Sequence, residues 1–261
     1  MFDNICKFLA ETFPTDFATW LLGEPIALTE LSPSELSLEP IRADTLILLQ
    51  SDEVVLHIEF QTEPKSDIPF RMADYRLRIH RRFPQKQMRQ VVIYLQSTTS
   101  ELARQTVFIL ENTRHEFGVI RLWEQPIDEF LKYPGLLPFA VLCQTNNRTQ
   151  VLRQVAQEIN QIADSRIQSN VAASAFILAG LTLEKEVIRQ ILRRDLMKES
   201  VTYQAIKEEG REEGREEGRE EGREEGLREV ALNLLQEGVA LEVIARVTGL
   251  SIEQLQQIQA T

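Results

Sequence analysis

The sequence predicts an α/β protein: a mixed central sheet flanked by helices, continued by a helical C-terminal extension. Three observations predict it. Two apolar, strand-like runs, residues 43–49 and 54–61, flank the polar turn Gln50-Ser51-Asp52-Glu53. A helical pattern over residues 67–83 is followed by the continuous apolar run 90–95, which reads as a strand buried on both faces. From about residue 144 the periodicity is helical throughout.

Each element has a local reason. Residues 3–12 and 16–22 read as amphipathic helices, with Pro14 as a break between them. Gly23-Glu24-Pro25 is a turn, 26–31 a short strand, and 33–40 a connector into the hairpin. Ser66-Asp67 before Pro69 is a helix start, in which Asp67 can cap and Pro69 suits the first turn. Phe70, Ala73 and Leu77, with Met72, Ile79 and Phe83, form the apolar stripe of that helix, and Pro84 ends it. Residues 117–123 form a further strand. Residues 134–141 read as a core-facing connector, and 149–162, 171–181 and 184–193 as packed helices.

This organisation divides the chain into a sheet-containing core, residues 1–143, and a helical extension packed on it, 144–206. A low-complexity Glu/Gly/Arg segment follows at 207–226, then a small helix-turn-helix-like segment at 227–261. In the low-complexity segment the four-residue repeat sets like charges at i,i+4, and each glycine costs about 1 kcal/mol against alanine. A frayed helix or a linker is expected there. In the last segment, helices at 227–236 and 241–247 precede the turn Thr248-Gly249-Leu250, and Ser251 with Gln254 has the spacing of a capping box. The helix that follows carries Glu253 and no Lys or Arg. Protein contact or a terminal bundle therefore outranks DNA reading on charge grounds.

Charge is unevenly spread. Of the net −11, residues 207–226 contribute −5 and 227–261 contribute −2, which leaves −4 on 1–206. Within that mildly acidic body, residues 65–90 carry eight Lys and Arg against Asp67 and Asp74, a local +6. Cys6 and Cys143 have no metal-ligand spacing and suggest no disulfide framework. No charged-then-apolar leader pattern begins the chain, and no apolar run approaches the ~18 residues a membrane span needs. A cytoplasmic setting without membrane contact is the expectation.

The hairpin carries the chemistry. Pairing Leu49 with Val54 sets Asp44 opposite Glu59, Leu46 opposite His57 and Arg42 opposite Gln61 on one face. The other face is apolar and belongs on the core. Directly opposed carboxylates destabilise a strand pair, and a hard divalent cation between them removes that cost. A solvated strand end, with Arg42 neutralising one carboxylate, accounts for the same pattern and is favoured by spacing alone. His57 shares this face and reads as a partly buried structural histidine, with metal ligation the minority reading. Glu11 and Glu39 are acidic neighbours better suited to surface or capping roles than to a second metal. Arg71, Tyr75, Arg78 and Arg82 follow at helical steps on one face of the next helix, where phosphate contact competes with a plain solvated surface.

Asp44, then Glu59-x-Gln61 on the next strand, then a basic helix, resembles the PD-(D/E)xK nuclease superfamily. The stretches "EPIRADTLILLQSDEVVLHIEFQTEP" and "PFRMADYRLRIHRRFP", with "VIYLQSTTSEL", "VIRLWEQP" and "PGLLPFAVL", resemble the recombination-promoting nuclease (Rpn) family over roughly residues 1–200. The glycine-charge tail and terminal helical hairpin also occur in that family. The resemblance implies a restriction-endonuclease-like core, with helices flanking a four-stranded mixed sheet. It also implies divalent-metal-dependent DNA cleavage connected with recombination or mobile elements. Asp44, Glu59 and the backbone carbonyl of Phe60 would hold Mg²⁺ or another divalent cation, and Asp44, Glu59 and Gln61 would be catalytic. Gln61 stands where the superfamily usually has Lys. It can orient a water but supplies no positive charge. Arg71, Arg78 and Arg82 would hold phosphates, and Tyr75 would stack or hydrogen-bond near the cleft. The partner is then DNA, with RNA as the competing substrate and homo-oligomerisation left open. The rival reading is a catalytically inactive nucleic-acid-binding or assembly protein on a nuclease scaffold, whose C-terminal segment contacts another protein.

Overall fold

The computed structural model describes residues 2–31, 46–192, 200, 226–227, 230–235, 240–251 and 255. They fall into two compact units, residues 1–204 and 205–261.

The first unit is built on strands β1 (Thr29–Glu30), β2 (Leu46–Gln50), β3 (Val54–Gln61), β4 (Gln87–Tyr94), β5 (Val107–Leu110), β6 (Thr113–Glu116) and β7 (Gly118–Arg121). Five of them form one mixed sheet in the order β1-β2-β3-β4-β7. The pairs β1–β2 and β2–β3 are antiparallel, whereas β3–β4 and β4–β7 are parallel. The helices are α1 (Phe2–Thr12), α2 (Pro14–Leu22), α3 (Ile68–Arg82), α4 (Arg148–Asn160), α5 (Ser165–Ala179) and α6 (Lys185–Ile191). No helix among the described residues is long and apolar enough to cross a membrane.

β3 sits inside the sheet, and its alternation sorts two faces. Leu56, Ile58 and Phe60 point to one side. There Phe60 stacks on Phe139 of the buried 3-10 segment Leu137–Leu142, at 5.5 Å and 8°. Phe17 of α2 meets both rings edge-on, at 6.3 and 6.0 Å. Contacts of this kind add about 1 kcal/mol each beyond the area they bury. Val55, His57, Glu59 and Gln61 point to the other side, which α3 covers. Its buried residues Tyr75 and Ile79 pack with Leu48 and Val55, while Ile68 and Met72 pack with Val92 and Tyr94.

Three local expectations change. Pro14 does not merely break the chain; it occupies the first turn of α2, where its missing N–H is no loss. Asp67 precedes α3 in a helical conformation and makes no side-chain cap, although Pro69 does sit in the first turn. Of the expected stripe of α3, Met72, Ala73 and Ile79 are buried, joined by Ile68 and Tyr75, whereas Phe70 and Leu77 are 58% and 63% exposed. Phe70 instead meets Phe108 of the β5–β6 hairpin edge-on, at 5.8 Å. That hairpin has no counterpart in the sequence reading. Ile109 and Leu110 are exposed within it, so no buried face produces an alternating pattern.

The β2–β3 register also differs. Leu46 faces Glu59, Leu48 faces His57, and Gln50 faces Val55. The pairing is two residues off the expected one, so each side chain keeps its face but changes its opposite number. The Ser51 hydroxyl accepts N–H bonds from Glu53 and Val54, and the Ser51 N–H donates to the Val54 carbonyl at 2.9 Å. Those bonds place the turn at Asp52-Glu53 and set the register. Glu59 is thus paired with Leu46. Asp44 itself, with Arg42 and Glu39, lies outside the described residues.

The second unit has α7 (Leu241–Thr248) and a core of Ala231, Ile244 and Leu255. Gly249 ends α7 in the left-handed region, at φ 76°, with its N–H bonded to Ala245 O. The Leu255 N–H bonds back to Ser251 O at 3.0 Å, a helical step that begins after this turn. The repeat at 207–225 and the capping partner Gln254 lie outside the described residues.

Candidate active site

Glu59 is fully buried on β3 and Gln61 is 5% exposed, two residues further along the same face. The Gln61 amide donates to Glu59 Oε1 at 3.0 Å. Arg71, one turn into α3, donates to the same oxygen at 2.5 Å. Buried carboxylates persist as ions only with such partners. The neutralising guanidinium thus comes from α3, across 12 residues of sequence. Arg71 is itself partly exposed, so it is the side through which this pair meets solvent.

His57 closes the other side. Its ring is fully buried, and Nε2 lies 3.5 Å from Glu59 Oε2. The Gln90 side chain, paired in register across the parallel β3–β4 ladder, fixes the tautomer. Gln90 Nε2 donates to the Met72 carbonyl at 2.8 Å, which orients the amide, and the same nitrogen is 3.0 Å from His57 Nδ1. Nδ1 must therefore accept, and the ring proton sits on Nε2, facing Glu59. Tyr75 meets the His57 ring edge-on at 5.2 Å. Burial holds the Tyr75 phenol above its ordinary range, with a hydrogen bond and the charge of Arg71 pulling back. Tyr94, beside Gln61, is also raised, first by burial and then by the Glu59 charge.

Of the expected residues, Glu59, Gln61 and Arg71 meet at one point. Tyr75 adjoins them, but its ring is buried, so it offers no face for stacking on a base. Arg78 pairs with Asp74 at 2.8 Å, and Arg82 is exposed near the Phe83 ring. Phe60 packs its ring in the core. Since Gln61 O accepts from Leu95 N–H on the β4 side, alternation turns the Phe60 carbonyl toward the β2 side. His57 is wholly rather than partly buried, and Gln90 was not anticipated; a polar residue opening the apolar run of β4 is the signal for it. Glu11 makes a surface pair with Lys7 at 3.6 Å.

The described residues do not by themselves make a metal centre. No group of three or more His, Cys, Asp or Glu side chains is placed among them to hold an ion. The groups found around Glu59 there are hydrogen-bond donors. What they can do chemically is hold one buried carboxylate in a fixed orientation, with one cationic arm at the surface.

Residues 224–260 match the family model described as Rpn/YhgA-like nuclease family, C-terminal HTH domain. The match spans the α7 region and the Gly249 turn and leaves residues 1–223 outside it. No curated protein and no solved structure matches the chain. The C-terminal segment is thus similar to the helix-turn-helix domain of the Rpn/YhgA-like nuclease family.

Proposed function

We propose that the chain is a divalent-metal-dependent DNA endonuclease connected with recombination or mobile elements, built on a PD-(D/E)xK-type core. The observation that carries this reading is the buried Glu59 carboxylate, held by Gln61 and Arg71 on an interior strand of a chain with a nuclease-family C-terminal domain. Asp44, Glu59 and the Phe60 carbonyl are the groups that would hold Mg²⁺. The amide N–H of Gln61 serves Glu59, and its amide oxygen remains to accept a hydrogen from a water. Arg71 reaches from that carboxylate toward solvent and can transfer its fork to a phosphate. Arg78 and Arg82, further along α3, extend the phosphate contact, and the C-terminal domain supplies a second DNA contact.

The test is nicking of supercoiled plasmid in Mg²⁺ by the wild type, Glu59→Gln and Asp44→Ala. Cleavage by the wild type alone is expected, abolished by chelation. Equal cleavage by all three would overturn the assignment. Matched DNA and RNA substrates identify the polymer cut.

The Arg71–Glu59 pair favours a second reading, a non-catalytic nucleic-acid-binding protein, because that carboxylate already has a cationic partner. It predicts salt-sensitive DNA binding that survives Asp44→Ala, with no nicking in any divalent ion.

A further inference from the structure

At the carboxyl ends of the parallel strands β4 and β7 lies a solvent-open cavity of about 300 Å³ that the Glu59 network does not use. Gln96 and Ser97, which follow β4, form one side; Trp123, which follows β7, forms another. Arg148, Thr182 and Leu142 complete it from the helical layer. In open sheets with parallel strands, ligands collect at this edge, because the loops that leave the strand ends diverge there.

Among the described residues that line the cavity, Arg148 is the charged one. The Arg148 guanidinium is half-buried and donates one bond, to the Val141 carbonyl at 2.8 Å. No carboxylate among the described residues pairs with it. A half-buried guanidinium whose other donors are bonded to none of the described residues suits an anion with oxygens to match its fork. Ser97 and Thr182 line the same cavity, the Thr182 hydroxyl donating a long bond to the Ala179 carbonyl at 3.4 Å, and Trp123 and Leu142 add apolar lining. An anionic head beside a planar apolar body is the chemistry of a nucleotide.

We propose that this cavity is a nucleotide site, with the phosphate on Arg148, Ser97 and Thr182 and the base against Trp123. It goes beyond the cleavage reading and does not depend on it. Leu95, at its floor, donates its N–H to the Gln61 carbonyl at 2.9 Å, so the site adjoins the end of β3. The occupant is a phosphate-bearing nucleotide, either free or at the end of a strand.

The test is calorimetric titration of the full chain with inorganic phosphate, a nucleoside 5′-monophosphate, and one oligonucleotide with and without a 5′-phosphate. Sulfate serves as the control anion. The monophosphate should bind better than phosphate and quench Trp123 fluorescence, with Trp123→Phe identifying the signal. Arg148→Gln should weaken binding at least about 10-fold. The pair Ser97→Ala with Thr182→Ala keeps the Arg148–Val141 bond and should weaken it several-fold. Selective binding of the 5′-phosphorylated oligonucleotide would identify a strand end as the source; binding of the monophosphate alone would identify a free nucleotide. Equal binding of sulfate, no binding of any phosphate probe, or affinity indifferent to both variants would overturn the proposal, whatever the plasmid assay shows.

Discussion

Arg71 on α3 grips Oε1 of the buried Glu59 carboxylate on β3, and this ion pair ties the helix to the sheet beneath it. Removing one partner of a buried pair costs more than the pair itself contributes, because the remaining charge stays desolvated. Arg71→Met should therefore lower unfolding stability by about 3 kcal/mol, and adding Glu59→Gln should restore much of it. Denaturant titration of the two single variants and the double variant measures the coupling. Additive losses would mean that the two side chains do not act as a pair.

The His57 ring offers a direct check of the hydrogen-bond direction. Long-range proton–nitrogen NMR spectra should show Nδ1 unprotonated and the proton on Nε2, since Gln90 donates to Nδ1. Gln90→Leu removes that donor and should let the ring change tautomer. A wild-type spectrum with the proton on Nδ1 would contradict the network.

Cys143 links stability to alkaline pH. Burial pushes its thiol from 9.0 up to about 12. In the unfolded chain the thiol ionises near 9, while in the fold it stays protonated, so the unfolded state binds fewer protons between those limits. Stability should thus be complete below pH 9 and fall as pH rises toward 12. Cys143→Ala should flatten that limb in pH-jump unfolding measurements. An unchanged alkaline limb would show that other groups control it.

Gly135 is held for want of space. A Cβ there would lie 2.4 Å from Phe13 Cβ, and the Gly135 N–H donates to Asp16 Oδ2 at 2.9 Å. Gly135→Ala should cost about 2 kcal/mol or more by overpacking, read by thermal unfolding. A variant as stable as the wild type would show that the α1–α2 corner yields easily.

DNA affinity should separate the arginines of α3. Arg82 is exposed, whereas Arg78 is bonded to Asp74. Arg82→Ala should weaken binding uniformly across sequences and reduce the salt-dependence slope by about 1. Arg78→Ala should do less, since Asp74 already offsets its charge. Equal slopes in both variants and the wild type would remove α3 from the interface.

Much of the fold was legible because it is written in local periodicity. The hairpin strands, α3, β4 and the later helices are each specified by residues within a few turns of one another. Glu59 and Gln61 stood out because two polar groups in an apolar strand demand partners. What escaped was non-local or phase-dependent. Tyr75 reads equally well on the cationic face or the core stripe of α3, and only the sheet below decides. The hairpin at Val107–Leu110 and Thr113–Glu116 leaves apolar side chains in solvent and so mimics no strand pattern.

By itself, the sequence determined that a mixed α/β layer would form and that β3 would turn Glu59 and Gln61 to one face, since alternation along a strand survives any even slip in pairing. Only the tertiary structure decided who meets them. The Ser51 bonds set the register that places Leu46 opposite Glu59, and the packing angle of α3 delivers Arg71 to that carboxylate. Partnership across space depends on distances that no stretch of neighbouring residues encodes.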